Sequence, residues 1–184
     1  MNKDLKIFLI SGKARHGKDT TSDILKDALI AQGKRVLVTH YADLVKYICK
    51  TFFGWDGNKD ERGRSILQYV GTEVVREKRP NYWVEFVMEI LWLFGDNWDC
   101  IIIPDARFPN EISFPKNTYD NVYHINVVRP NFDNGLTEEQ KNHSSETALD
   151  GTAPDFLIEN TSLYELEKSI LRVLEEIEKG KDGE

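Results

Sequence analysis

Gly12-Lys13-Ala14-Arg15-His16-Gly17-Lys18-Asp19-Thr20 lies between an apolar run, Ile7-Phe8-Leu9-Ile10, and a helix-patterned segment from Ser22 to Ala31. Strand, glycine-bearing loop and helix in that order make a phosphate-binding loop. The first glycine permits the tight turn and the second lets the backbone approach closely, so that N–H groups at a helix N-terminus point at phosphate oxygens. Lys18 adds a movable positive charge. The spacing follows G-x-x-x-x-G-K-[ST] except at the last place, where Asp19 replaces the hydroxyl that touches magnesium. An acid in a first helical turn favours the helix dipole by roughly 0.3–1 kcal/mol, which is one reading of Asp19. Beside a nucleotide triphosphate a carboxylate repels unless a cation intervenes, and Mg²⁺ takes carboxylate oxygens directly or through water. On that reading Asp19 is a magnesium ligand and the Thr20 hydroxyl serves the next phosphate inward. A β–α turn without a ligand is the bland alternative, and Lys18 together with the flanking patterns speaks against it.

The 184 residues suit one domain, 1–184, large enough to bury roughly 70% of its unfolded surface. A net charge of −7 argues against broad binding to nucleic-acid polymers, which need a basic face. No apolar run approaches the roughly 18 residues of a membrane span, and Met1-Asn2-Lys3-Asp4 leads straight into strand rather than into the apolar core of a signal peptide. The expectation is a cytoplasmic protein. Cys49 and Cys100 sit in apolar patterns and read as buried thiols, not as a disulfide scaffold or zinc site.

Outward from the loop, Ile24, Leu25, Ala28 and Leu29 recur at helical spacing and Gly33 closes the segment. Arg35 to Thr39 is a second strand, so the first forty residues form a βαβ unit with a parallel sheet. Asp43 and Lys46 follow its carboxyl end, where open α/β sheets bind ligands. A helix-starting acid and a solvated lysine are the competing reading. Leu44, Val45, Ile48, Cys49 and Phe52 form that helix's apolar face, and Gly54 to Asn58 reads as a turn.

Two helical patterns divided at Pro80-Asn81 fill Glu61 to Phe94, defining a helical insertion at about 55–96. It carries Arg62, Arg64, Gln68, Thr72, Glu73, Arg76 and Trp83. Arginine forks match phosphate oxygens and aromatic faces stack on bases, so this group is a pocket candidate. Cys100-Ile101-Ile102-Ile103 is a buried strand ending in Pro104-Asp105-Ala106-Arg107-Phe108-Pro109-Asn110-Glu111. In isolation a strand-ending acid such as Asp105 is a turn or cap residue; after a phosphate loop it is read as facing magnesium, and Arg107 is placed for a transferring or acceptor phosphate. Val122 to Val128 is another strand. The polar stretch that follows, about 130–148, reads as a lid whose basic residues Arg129, Lys141 and His143 are candidates to close over ATP phosphates, with loop solvation the default reading for Lys141 and a hydrogen-bonded helix start the equal reading of His143-Ser144-Ser145-Glu146. Asp155 to Asn160 supplies the last strand, Ser162 to Glu165 a capping box, and Leu163, Leu166, Ile170, Val173, Leu174 and Ile177 a core stripe. The tail from Gly180 to Glu184 is expected to fray.

Taken in order, these pieces resemble the deoxynucleoside monophosphate kinases of bacteriophages and related bacterial sequences. The likeness rests on Gly12–Thr20 with its Gly-Lys-Asp, Ala42-Asp43-Leu44-Val45-Lys46, Leu67-Gln68-Tyr69-Val70-Gly71-Thr72-Glu73 with Arg76 and Trp83, Asp105 to Glu111, and His143-Ser144-Ser145-Glu146. It implies an α/β, three-layer P-loop kinase fold with a mainly parallel sheet, a helical acceptor-binding insertion and a lid. It implies transfer of the γ-phosphoryl of ATP, with Mg²⁺, to a deoxynucleoside 5′-monophosphate, in host cytoplasm if the chain is phage-encoded.

On this resemblance Lys18, Asp105 and Arg107 are catalytic, and the ATP phosphates lie on Gly12, Lys13, Ala14, Arg15, His16, Gly17, Lys18, Asp19 and Thr20. The acceptor is expected near Asp43, Lys46, Gln68, Thr72, Glu73, Arg76, Trp83, Arg107, Asn110 and Glu111. Arg129, His143 and Glu146 belong to the lid, and Asp19 and Asp105 to the metal. Phe114 to Asp120 matches no motif. Kinases of other small phosphates, of phosphomevalonate or dephospho-coenzyme A type, are one alternative, and a nucleotide-dependent switch without an acceptor is another. The insertion's apolar face leaves a homodimer open.

Overall fold

The structure, a computed structural model, describes residues 4–181. Five strands, β1 (Lys6–Ser11), β2 (Val36–Val38), β3 (Cys100–Ala106), β4 (Val122–Val128) and β5 (Phe156–Glu159), form one sheet in the order β2-β3-β1-β4-β5 with every pair parallel. A parallel strand between two helical layers must be apolar on both faces. Accordingly Ile7, Leu9, Ile101 and Ile103 point into one core, while Phe8, Ile10, Cys100 and Ile102 point into the other.

The second of these cores is closed by α1 (Lys18–Ala31) and α9 (Leu163–Lys181), whose Leu25, Leu29, Leu166, Ile170, Val173, Leu174 and Ile177 are buried. The first is closed by α5 (Tyr82–Phe94) and α6 (Pro109–Thr118). Helix, sheet, helix is the three-layer α/β arrangement expected. Between β2 and β3 run α2 (Ala42–Phe53), α3 (Glu61–Gln68), a π-helical turn (Tyr69–Val74), α4 (Val75–Lys78) and then α5. They enclose a small core of their own around Val45, Cys49, Trp55, Val70 and Trp83. After β4 come two short helices, α7 (Glu138–Asn142) and α8 (Ser144–Thr147), with no buried residue in either.

Several expectations need correction. Phe52 is 71% exposed and Leu163 60%, so neither belongs to its helix's core face. Each stands at an end of its helix, where fewer neighbours cover it. Trp92, Leu93 and Phe94 are exposed at the end of α5. Helix α6 spans the stretch that matched no motif, and the π-helical turn interrupts the first insertion pattern. Helix α9 continues through Gly180 to Lys181; the rest of the tail expected to fray, and residues 1–3 of the strand-leading start, lie outside the described residues. Both cysteines are buried and free. Among the described residues no helix is long and apolar enough to cross a membrane.

Candidate active site

The loop after β1 is held by contacts that only glycine permits. Gly12 has φ +143°, and a Cβ there would stand 2.3 Å from the Val127 carbonyl oxygen; Gly17 has φ +102°, and a Cβ would stand 2.4 Å from Asn160 Nδ2. The chain therefore passes flush against the ends of β4 and β5. Asn160 Nδ2 donates to the His16 carbonyl at 3.0 Å, and the Arg129 N–H donates to His16 Nδ1 at 3.1 Å. His16 is buried, and burial, then the Lys18 charge, holds its imidazole below the ordinary value, in keeping with that accepting nitrogen.

Lys18 folds back over the loop, its Nζ donating to the carbonyls of Gly12 at 2.8 Å and Lys13 at 2.9 Å. Burial, followed by the nearby Arg107 charge, lowers its pKa to about 8. A cation so placed gains most when an anion arrives. Asp19 and Thr20 are exposed on the first turn of α1.

Asp105 does not stand free at the end of β3. Its carboxylate accepts the N–H groups of Tyr41 and Ala42, both at 3.0 Å, and so caps the start of α2. The expected metal-facing role is thus joined by a capping role that the carboxylate already fills. Among the described residues no group of three metal-binding side chains gathers. Asp43 and Lys46 pair with each other at 2.9 Å, and Asp43 also meets His40.

Arg76 is the centre of the group expected on the acceptor side. Its guanidinium lies 4.0 Å over the Phe108 ring and pairs with Glu111, a carboxylate only 1% exposed. Glu111, in the first turn of α6, also accepts the N–H of Arg107 at 2.7 Å and of Phe108 at 3.1 Å. Burial pushes its carboxyl up, and Arg76 with the Arg107 N–H opposes that. Glu111 thus braces the Arg76 guanidinium and the backbone of Arg107 and Phe108, and it is buried outside the cleft lining rather than at the surface where direct contact was expected. Arg76, Thr72, Glu73 and Asn110 line one cleft of about 420 Å³ with Glu77, Pro80 and Phe108. Asn110 Nδ2 donates to the Pro80 carbonyl and to Asn81 Oδ1, both at 2.9 Å, bracing the entry to α5.

Six of the ten residues expected at the acceptor, Asp43, Lys46, Gln68, Trp83, Arg107 and Glu111, are not in that cleft's lining. Gln68 is half-buried at the end of α3. Trp83 is 1% exposed, and its Nε1 donates to the Gly71 carbonyl at 2.9 Å, so it is core and offers no face to a base. The aromatic that does line the cleft is Phe108, whose place beside Pro109 after β3 was the available signal.

On the lid side, Arg129 stacks on Phe132 at 4.0 Å and Lys141 pairs with Glu138 at the surface. His143 Nδ1 accepts the Ser145 N–H at 3.2 Å, which starts α8. Arg129 reaches the loop through its backbone N–H to His16, and Glu146 reaches it with its side chain: Oε2 accepts the Ala14 N–H at 2.8 Å and Oε1 meets Arg107 Nη1 at 2.5 Å. Arg76, Glu111, Arg107, Glu146 and Ala14 therefore form one unbroken line from cleft to phosphate loop.

The fold is that of the P-loop kinases. Solved structures similar over nearly the whole chain include TT1252 of Thermus thermophilus, at 16% identity, covering 92% of this chain and 95% of that one with a TM-score of 0.53. A point mutant of the APS kinase CysC of Mycobacterium tuberculosis is similar at 11% identity, 92% and 96% coverage, and a TM-score of 0.50. The family model for deoxynucleotide monophosphate kinase matches residues 55–170, and the chain belongs to that family. A shorter likeness, 34% identity over 76 residues, joins 41% of this chain to the replicative helicase loader DnaC of Buchnera aphidicola subsp. Baizongia pistaciae. The chain spans about a third of that curated relative's length, 31%.

Proposed function

We propose that the protein transfers the γ-phosphoryl group of ATP to the phosphate of a deoxynucleoside 5′-monophosphate, giving ADP and the deoxynucleoside diphosphate. The observation that carries this reading is the line from Arg76 to Ala14, which joins a cleft with an arginine at its wall to a phosphate loop with a buried lysine. Two anions must meet for such a transfer, and cations are what the two sites contribute. The acceptor phosphate is ionised at neutral pH, so an oxygen of it forms the new P–O bond without a general base. The bond from the γ-phosphorus to the bridging oxygen breaks and ADP leaves with the electron pair.

In this scheme Lys18 and the loop N–H groups hold the donor phosphates, Arg76 holds the acceptor, and Arg107 neutralises charge between them. Asp19 fits the needs of Mg²⁺, which keeps most of its waters and takes one or two carboxylates, since it is exposed beside Lys18 on the first turn of α1. Asp105, spent on two N–H groups, supports the site by fixing α2. Magnesium when bound would neutralise the donor phosphates. The 55–96 segment then serves as the acceptor-binding insertion and 130–148 as a lid that excludes water.

The test is to incubate the protein with Mg·ATP and each deoxynucleoside and ribonucleoside monophosphate in turn, following ADP and the diphosphate, with Lys18→Ala as control. Product from one or more deoxynucleotides is the expected result. ADP release independent of every acceptor would reject it in favour of a nucleotide-dependent switch.

A further inference from the structure

Donors in the phosphate loop already have anionic partners in the chain. Besides the two hydrogen bonds of its carboxylate, Glu146 receives Lys13 Nζ on its carbonyl oxygen at 2.6 Å, and Lys13 reaches Asp150 Oδ1 at 2.5 Å. From the other side of the loop Arg15 Nη1 donates to the Asn134 carbonyl at 2.9 Å. The basic residues flanking Ala14 thus clasp the polar segment after β4 at two places. The Glu146 side chain is 8% exposed, so its carboxylate sits inside the site.

A backbone N–H in a glycine-bearing loop and an arginine fork are the donors that a phosphate oxygen takes. We propose that Glu146 is the resident anion of the transfer centre, standing in for a phosphate oxygen between the Ala14 N–H and Arg107 until an incoming phosphate displaces it. The reading shares the phosphate loop with the proposed kinase activity but does not depend on which acceptor is used. One set of donors cannot serve a carboxylate and a phosphate at once, so the segment around α8 must release before the donor phosphates seat fully. Release uncovers the Glu146 side chain and Leu149, which packs on the core under α5 and α6, but no whole residue of α7 or α8 is buried and the Lys13–Asp150 pair is solvent-exposed. The lid therefore begins docked on the loop, held by its own charge.

Titration calorimetry of the full chain with inorganic tripolyphosphate tests this. Glu146→Gln removes the competing charge at constant shape and is expected to tighten tripolyphosphate about tenfold. Asp150→Asn, which loosens only the clasp, should tighten it two- to threefold, roughly within what an exposed pair can contribute. Lys18→Ala should abolish binding. Equal or weaker binding by Glu146→Gln, or no binding by any protein, overturns the proposal; should Glu146→Gln not fold, unchanged affinity in Asp150→Asn does so. Tighter binding by the variants while no monophosphate is ever phosphorylated would keep the displaced carboxylate and reject the acceptor.

Discussion

The root of α6 and the segment around α8 each give a carboxylate to an arginine, and their surroundings differ. Glu111 is 1% exposed and is fixed by two backbone N–H groups as well as Arg76, with the Tyr41 hydroxyl donating to its carbonyl at 2.8 Å. Glu146 makes equally short contacts, but from a four-residue helix with no buried residue. Ion pairs of one kind thus serve as scaffold where packing locks them and as a releasable contact where it does not. Both carboxylates are covered, so how firmly the element that carries each one is packed, not the pair itself, decides which.

The largest effect expected bears on the loop that both carboxylates surround. Lys18→Ala should lower turnover with every acceptor by about a thousandfold or more, read as ADP release, because electrostatic stabilisation of the transferring group is lost. Next comes the scaffold itself. Glu111→Ala strands Arg76 in a part-buried place and should cost about 3–5 kcal/mol in urea unfolding, against about 1–2 kcal/mol for Glu146→Gln, which keeps an accepting oxygen for the Ala14 N–H. Similar losses from the two variants would erase the distinction drawn between them.

Below the loop, Ser11 Oγ and His124 Nε2 lie 2.7 Å apart in the sheet, and burial holds the His124 pKa down to about 4. The folded state therefore binds fewer protons than the unfolded state between about pH 6.5 and 4, so stability should fall as pH drops through that window. The His124 share is on the order of 3 kcal/mol, and His124→Gln should flatten that part of the pH profile measured by chemical denaturation. Arg76→Ala should raise the KM for the monophosphate about 10- to 100-fold while moving that for ATP by less than about threefold. Equal losses for both substrates would contradict its assignment to the acceptor. Smallest of all, Asp150→Asn should change unfolding stability by less than about 1 kcal/mol, since its pair with Lys13 is exposed.

The phosphate loop was legible because its chemistry is local: glycines, lysine and helix start lie within nine consecutive residues, and backbone geometry does most of the binding. The strands were legible too, since a parallel sheet covered on both faces leaves short continuous apolar runs such as Ile7–Ile10 and Cys100–Ile103. Helix α6 was not read, although Pro109 in its first turn and Glu111 reaching back to the Phe108 N–H are start signals; its interior Pro115 and weak apolar pattern hid it. Trp83 carried the signal of an aromatic on a helix, and that pattern does not say whether the ring faces a ligand or a core. Asp105 is ambiguous in sequence for a related reason. An acid ending a strand can meet a metal or cap the next helix, and the start of α2 that claims it lies more than sixty residues away.

What the sequence by itself determined is the strand–loop–helix unit, the parallel α/β class, the identity of the cations and the family resemblance that the match over residues 55–170 bears out. These follow from short-range spacing, where steric limits and periodicity act on neighbours in the chain. Only the tertiary structure decided how the charges are divided: Glu111 to Arg76 and the Arg107 N–H, Glu146 to the Arg107 guanidinium and Ala14, Asp105 to Tyr41 and Ala42. Charge pairing is settled by distance and burial in the folded chain, and residues far apart in sequence compete for the same partners.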